Sequence, residues 1–436
     1  MIAARSSPHA RRVALGILIG GTLAAAAGAE SAQAPLLAAA LTVFGIVAVI
    51  TVTGSWLASL VAVPAAFVAT RLPLGSATIA PDDFMVVVGA LAPALFIDWR
   101  ANARLKRILG ALAVYEAGIL ISVLAAPSFG GYVEVLHRAV IVGGSLLIGV
   151  YLAQRNRASE AVTVLLVTST GMAVASVLTS ATSHFGAAFP LGLNKNYAGS
   201  LLSSALIVSY AVHVEPRTRL YLLRTMQAII AIGLVATLSR GAMIGLGLGT
   251  LVWAMTTQRS RGLVLLFLIV GLPVAVASLV VDFTVLGAAG SAVSHLQIAQ
   301  AAIGEWLASP VLGNGIRFFQ QGSDVLASDP HDVVILTLAE SGVVGLLAFA
   351  FLLWRTGVEL RRMQTVLGAT GLALLVARLA HGMFDVYWLH GSLEMFWIVA
   401  GMALAACSVN LRLGRSPGVE SRDLRADNGP AAAASG

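Results

Sequence analysis

The sequence predicts an all-α, polytopic integral membrane protein, and three observations carry that prediction. Hydrophobic residues make up 58% of the 436-residue chain and charged ones only 11%, with a mean hydropathy of +0.90. That is more apolar surface than a soluble chain of this length buries. The apolar residues fall in repeated runs of bilayer length. Backbone groups in hydrocarbon must bond within their own segment, so the runs are helices, whereas a barrel would show alternating strands of about 10 residues. Arginine and lysine gather in every second connection, the charge asymmetry of a multispanning chain.

The first apolar run, 13–29, follows Arg5, Arg11 and Arg12 and precedes Ala32-Gln33-Ala34. It fits either a cleavable signal peptide or a first transmembrane helix, and the many runs behind it favour the helix. Further runs recur at roughly 35–52, 55–70, 83–98, 108–125, 136–153, 161–180, 197–214, 225–239, 241–257, 263–281, 332–354, 365–382 and 388–408, giving about 12 to 14 spans. The basic connections are Arg100 to Arg107, Arg155 with Arg157, Arg217 to Arg224, Arg259 with Arg261, Arg355 to Arg362, and Arg412 with Arg415. These face the cytoplasm, as do both chain ends, and the alternate connections face outward. The expected organisation is N-terminal transmembrane helices over 1–281, one long extracytoplasmic loop over 282–331, C-terminal transmembrane helices over 332–412 and a disordered cytoplasmic tail over 413–436.

Net charge of +7 does not point to nucleic acid, because the arginines sit in short clusters with neither a basic domain nor interleaved aromatics. The single cysteine, Cys407, lies in the last apolar run, which excludes an internal disulfide and a multi-thiolate metal site.

Chemistry-bearing residues concentrate in three places. Arg240, in LVATLSRGAMIGLGLG, stands where two apolar runs meet on the outward side. An arginine in hydrocarbon costs about 2.5–3.5 kcal/mol at mid-bilayer, so it needs a partner, a cavity or access to the interface. It is either a snorkelling helix-end residue or a guanidinium aimed inward at a phosphate or pyrophosphate. Asn194, Lys195 and Asn196 in FPLGLNKNYAGSLL are either ordinary cap and loop residues or donors lining an outward cavity that suits a sugar or phosphate. The longest polar stretch, Ala288 to Leu347, holds His295, Glu305, Arg317, Asp324, Asp329, His331, Asp332 and Glu340.

His331 follows Pro330 and directly precedes an apolar run. A neutral imidazole at the membrane surface suits a general base for a hydroxyl acceptor; the plainer reading makes Asp329 or Asp332 a helix N-cap and His331 a bystander. Gly313 and Gly315 in SPVLGNGIRFF should bend the chain and leave Arg317 beside the same pocket. Glu340 is a buried hydrogen-bonding brace or a second acid/base group, with the brace favoured.

LSRG, WLASPVLGNG and PHDVVILTLAESGVVGLL in this order resemble the O-antigen ligase and polymerase superfamily, whose pattern is roughly P-x-x-G-x-G, a loop, then H-N and E-x-G-x-x-G. The NKN segment is similar to the H-K-N-x-x-G signature of the exopolysaccharide polymerase branch, with Asn194 in place of the histidine. The resemblance covers about 190–400. It implies a GT-C-like glycosyltransferase of the inner membrane with an extracytoplasmic active site, a polyprenyl-pyrophosphate-linked oligosaccharide as donor and a glycan hydroxyl as acceptor. No cofactor and no metal are implied. By the same resemblance Arg240 holds the pyrophosphate and His331 activates the acceptor. Two positions depart from the pattern: His295 stands where an arginine is usual, leaving the second phosphate contact to His295 or Arg317, and Asp332 stands where asparagine is usual. A transporter or flippase of lipid-linked sugars, a protein O-oligosaccharyltransferase and a cell-division type peptidoglycan polymerase are the competing readings. The first should carry charges or helix breaks near mid-membrane in related halves, which the sequence does not display.

Overall fold

A computed structural model of the chain describes residues 56–65, 72–74, 77–79, 81–100, 102–184, 186–212, 217–257, 289–321, 329–385 and 392–405. The elements in order are α1 (Trp56–Ala65), β1 (Leu72–Leu74), β2 (Ala77–Ile79), α2 (Pro81–Phe96), α3 (Ala103–Ala125), α4 (Phe129–Gln154), α5 (Ala158–Thr182), α6 (Lys195–Ser209), α7 (Arg217–Thr237), α8 (Arg240–Thr257), α9 (Ala289–Ala308), α10 (Val333–Arg361), α11 (Val366–Gly382) and α12 (Ser392–Ala405). The protein is a polytopic helical membrane protein. Helices α3, α4, α5, α7 and α10 are long and apolar enough to cross a bilayer, and shorter apolar helices cover Asp83–Phe96, Val366–Gly382 and Leu393–Ala405.

Several elements differ from the sequence expectation. The fold is all-helical but for one short hairpin, in which β1 and β2 pair antiparallel with Leu72 opposite Ile79 and Leu74 opposite Ala77; Gly75-Ser76 between them is a hairpin signal. Helix α4 begins at Phe129, one turn and more before the apolar run expected at 136, because Ser128 caps it by accepting from Gly131 N. A π-helical segment, Val140–Gly144, interrupts it. The segment expected as a long loop contains the 20-residue helix α9. The runs at 13–29, 35–52 and 263–281, Asp324, Cys407 and the tail 413–436 lie outside the described residues.

Small residues let the helices approach closely, which matters in a bilayer where lipid is as apolar as any side chain and packing must come from contact. Helices α3 and α10 run antiparallel: a Cβ on Gly118 would lie 2.9 Å from that of Ala348, and the rings of Tyr115 and Phe349 are 5.8 Å apart. Gly245 and Gly249 of α8 face the carbonyls of Ala377 and Ala373 in α11, where an added Cβ would sit 2.6 and 2.8 Å from those oxygens. Helix α6 runs parallel to α8, with Gly199 against Ser239 and Ala242 and, two turns on, Ile207 against Gly249. Helices α10 and α11 form an antiparallel hairpin in which the Leu360 methyls cover Gly371.

These pairings sort the bundle into two ends. One carries Arg104, Arg107, Arg355 and Arg362 around Glu359, whose side chain is fully buried; Arg107 donates to both its carboxylate oxygens at 2.9 Å. The other end gathers the starts of α6, α8 and α10 and the ends of α3, α7 and α11.

Candidate active site

The end opposite the arginine cluster is built around a break in α10. Gly342 has φ 63 and ψ −166 inside that helix, a conformation essentially reserved for glycine. Breaking a helix frees carbonyls and amides that cannot stay unbonded away from water. The loop after α9 takes them up. Ala339 O and Glu340 O accept from Asn314 N (2.9 Å) and Gly315 N (3.0 Å), while Val343 N and Val344 N donate to Pro310 O (3.0 Å) and Val311 O (3.2 Å). Ser122 of α3 places its hydroxyl 2.8 Å from Glu340 O and 2.5 Å from Leu312 O.

Gly313 (φ 69) and Gly315 (φ 101) provide the left-handed backbone that this interlock requires. Any Cβ on Gly313 would overlap the Glu340 carbonyl, one on Gly315 would come within 3.0 Å of Ala126 O, and one on Gly342 would overlap Val311 O. The P-x-x-G-x-G and E-x-G spacings are therefore two halves of one structure.

Arg317, also left-handed at φ 64, donates its backbone N–H to Glu340 Oε1 at 2.7 Å. Glu340 Oε2 lies 3.5 Å from Arg138 Nη2. That guanidinium, 4% exposed, also donates from Nη1 to Tyr115 OH at 2.9 Å and from Nε to Glu134 Oε1 at 3.1 Å. Glu340 thus braces the loop to α3 and α4. Asp332 caps α10, its Oδ1 accepting from Val334 N (2.8 Å) and Ile335 N (3.0 Å). His331 is half-buried one residue earlier, and Gln320 donates to Asp329 Oδ2 beside it at 2.7 Å.

The second group of residues lies on α6 and α8. Asn194 is the N-cap of α6, its side chain accepting from Asn196 N at 2.8 Å, and Lys195 and Asn196 form the first, half-buried turn. One turn further, Gly199 abuts Ser239. A two-residue connection, Leu238 (φ 52) and the fully buried Ser239, turns α7 into α8 and makes half-buried Arg240 the first residue of α8.

The NKN turn and the SRG turn are therefore neighbours, and Arg317, Glu340, Asp332 and His331 form a second set. Both sets flank the α10–α11 hairpin at the same end. His295 lies in α9; its side chain is outside the described residues. That helix packs on the first turns of α10 in a cluster of Ala302, Leu336 and Ala339 with Phe319 of the segment that follows it.

Sequence reasoning passed over Arg138, and also a buried cluster of Arg378, His381 and Asp385 at the end of α11. Each was absorbed into or beside an apolar run, although an ionisable residue within such a run is itself the available signal. The helix break at Gly342 was likewise unexpected; no second membrane-length helix has a non-helical residue among the described residues.

Residues 225–350 match the family model described as O-antigen ligase. No curated protein matches the chain. The matched span runs from α7 through the break in α10 and holds Arg240, His295, Arg317, His331, Asp332 and Glu340, while the NKN turn precedes it. Over residues 225–350 the chain is similar to the O-antigen ligase family.

Proposed function

We propose that the protein is a GT-C-like membrane glycosyltransferase of 12 to 14 spans that polymerises or ligates polyprenyl-pyrophosphate-linked glycans on the outer face of the cytoplasmic membrane. The observation that carries this reading is the gathering of the SRG turn, the NKN turn and the His331–Glu340 interlock at the end of the bundle away from the Glu359 arginine cluster. Arginine-rich ends lie in the cytoplasm, so the gathered residues face outward. His331 takes the proton of the acceptor hydroxyl as its oxygen attacks the anomeric carbon. The bond from that carbon to the pyrophosphate oxygen breaks, configuration inverts, and Arg240, with Arg317 or His295, neutralises the charge on the departing polyprenyl pyrophosphate. Asn194, Lys195 and Asn196 contribute donors to the glycan or its phosphates. The NKN signature favours a polymerase over a ligase.

The test is reconstitution of the purified protein in vesicles with a defined lipid-linked oligosaccharide. New glycosidic bonds are expected from the wild type, and His331→Ala and Arg240→Ala should each abolish transfer while remaining folded and inserted. Translocation of donor without bond formation would identify a flippase, and normal transfer by either variant would sink the assignment of that residue.

A further inference from the structure

The cluster at the end of α11 sits against the SRG turn and contacts α6 and the start of α8. Arg378 is 3% exposed and His381 2%. Arg378 Nη1 lies 3.1 Å from Ser200 Oγ, one turn along α6 from Asn196, and 2.9 Å from His381 Nδ1. A guanidinium only donates, so Nδ1 is the accepting nitrogen and the imidazole proton resides on Nε2, which points toward Asp385 Oδ2 at 3.9 Å. The imidazole edge in turn supports the SRG turn from below, since a Cβ on Gly241 would come 3.0 Å from His381 Cδ2 and 3.1 Å from Phe384 Cβ. On the other side, Ser239 is held by Gly199, next to Ser200. The residues on both sides of Arg240 thus pack against α6 and α11, which the Ser200–Arg378–His381 contacts tie together.

We propose that Arg378 and His381 are positioning residues for Arg240, fixing the SRG turn so that its guanidinium meets the pyrophosphate of the donor. This rests on the reading of Arg240 given above. Nothing in the sequence pattern assigned these two residues, and an arginine inside a membrane bundle is a costly residue to keep for packing alone. Because the cluster packs against the turn that carries Arg240, its effect on donor binding passes through Arg240.

The experiment measures binding of a polyprenyl pyrophosphate without glycan to the full-length detergent-solubilised protein. His381→Ala is expected to weaken binding about 10-fold or more, up to the about 10²-fold that a small misplacement of a binding group produces. His381→Gln, whose amide oxygen still accepts from Arg378, should retain most of the affinity. In an Arg240→Ala background neither change should weaken binding further, because the group being positioned is gone. Ser200→Ala removes only a hydroxyl and keeps the question answerable if His381→Ala fails to fold; it should reproduce a smaller loss with the same dependence on Arg240. Unchanged affinity in folded His381→Ala and Ser200→Ala, or losses that add to that of Arg240→Ala, would overturn the proposal while leaving the glycosyltransferase reading intact. Unchanged affinity in Arg240→Ala would overturn both the proposal and the assignment of Arg240.

Discussion

Glu340 shows how one carboxylate can join three separate elements of the chain. Its two oxygens have different partners, the Arg317 backbone amide and the Arg138 guanidinium, so they tie a loop to two helices. Removing the carboxylate takes the acceptor from the buried Arg317 amide and one carboxylate partner from Arg138, which keeps Glu134 and Tyr115. Glu340→Ala should therefore cost about 3–5 kcal/mol, the scale for breaking a buried pair from one side. Glu340→Gln keeps an acceptor for Arg317 N and should cost markedly less, about 1–3 kcal/mol; thermal unfolding in detergent would rank the two. Equal losses would mean that the ion pair with Arg138, and not the bond to the loop, carries the brace. The sequence suggested a brace at this position, but only the fold named its partners, since Arg138 is 202 residues away.

At the scale of the element, α10 is a helix deliberately broken. Its own sequence reads as an apolar run, and nothing local except Gly342 warns of the interruption. The break survives because the 310–315 loop supplies two donors and two acceptors in register. Gly342→Ala confronts both the left-handed φ and the Val311 carbonyl, so a loss above about 3 kcal/mol or failure to accumulate is expected. Gly171→Ala in α5 is the control: nothing lies within 4 Å of its added Cβ, and its effect should stay within about 1 kcal/mol, toward stabilisation. Comparable losses in the two would show that the interlock is not what holds α10 in its broken form. The NKN and SRG turns behave differently, because local residues account for both. Asn194 caps its helix as an asparagine ahead of a helix should, and Leu238-Ser239 reverses the chain in two residues.

For the whole molecule, the question is which end faces out. The Glu359 cluster brings four arginines to one end, and the proposed orientation puts that positive end in the cytoplasm. Cys407 is the only cysteine, so Cys407→Ala gives a cysteine-free background for accessibility labelling. Leu191→Cys, at a position 81% exposed beside the NKN turn, should react with a membrane-impermeant thiol reagent in intact spheroplasts. Arg100→Cys, exposed in the first described basic connection, should react only after permeabilisation. The reverse pattern would turn the molecule over and place the site in the cytoplasm.

The sequence by itself determined the membrane class, the helical content, the alternation of charged connections and the order of the family's motifs. Each of these depends on composition or on neighbours within a turn or two, which the chain displays directly. It also pointed to Arg240 where two apolar runs meet and to Arg317, His331 and Glu340 in the longest polar stretch of the chain. Only the tertiary structure decided how those residues combine. The pairing of the 310–315 loop with broken α10, the anchoring of Glu340 by Arg138 and the unit of Ser200, Arg378 and His381 under the SRG turn all join residues distant in sequence. Their energetics reside in desolvated polar contacts between helices, and no periodicity along one helix records which helix will lie beside it.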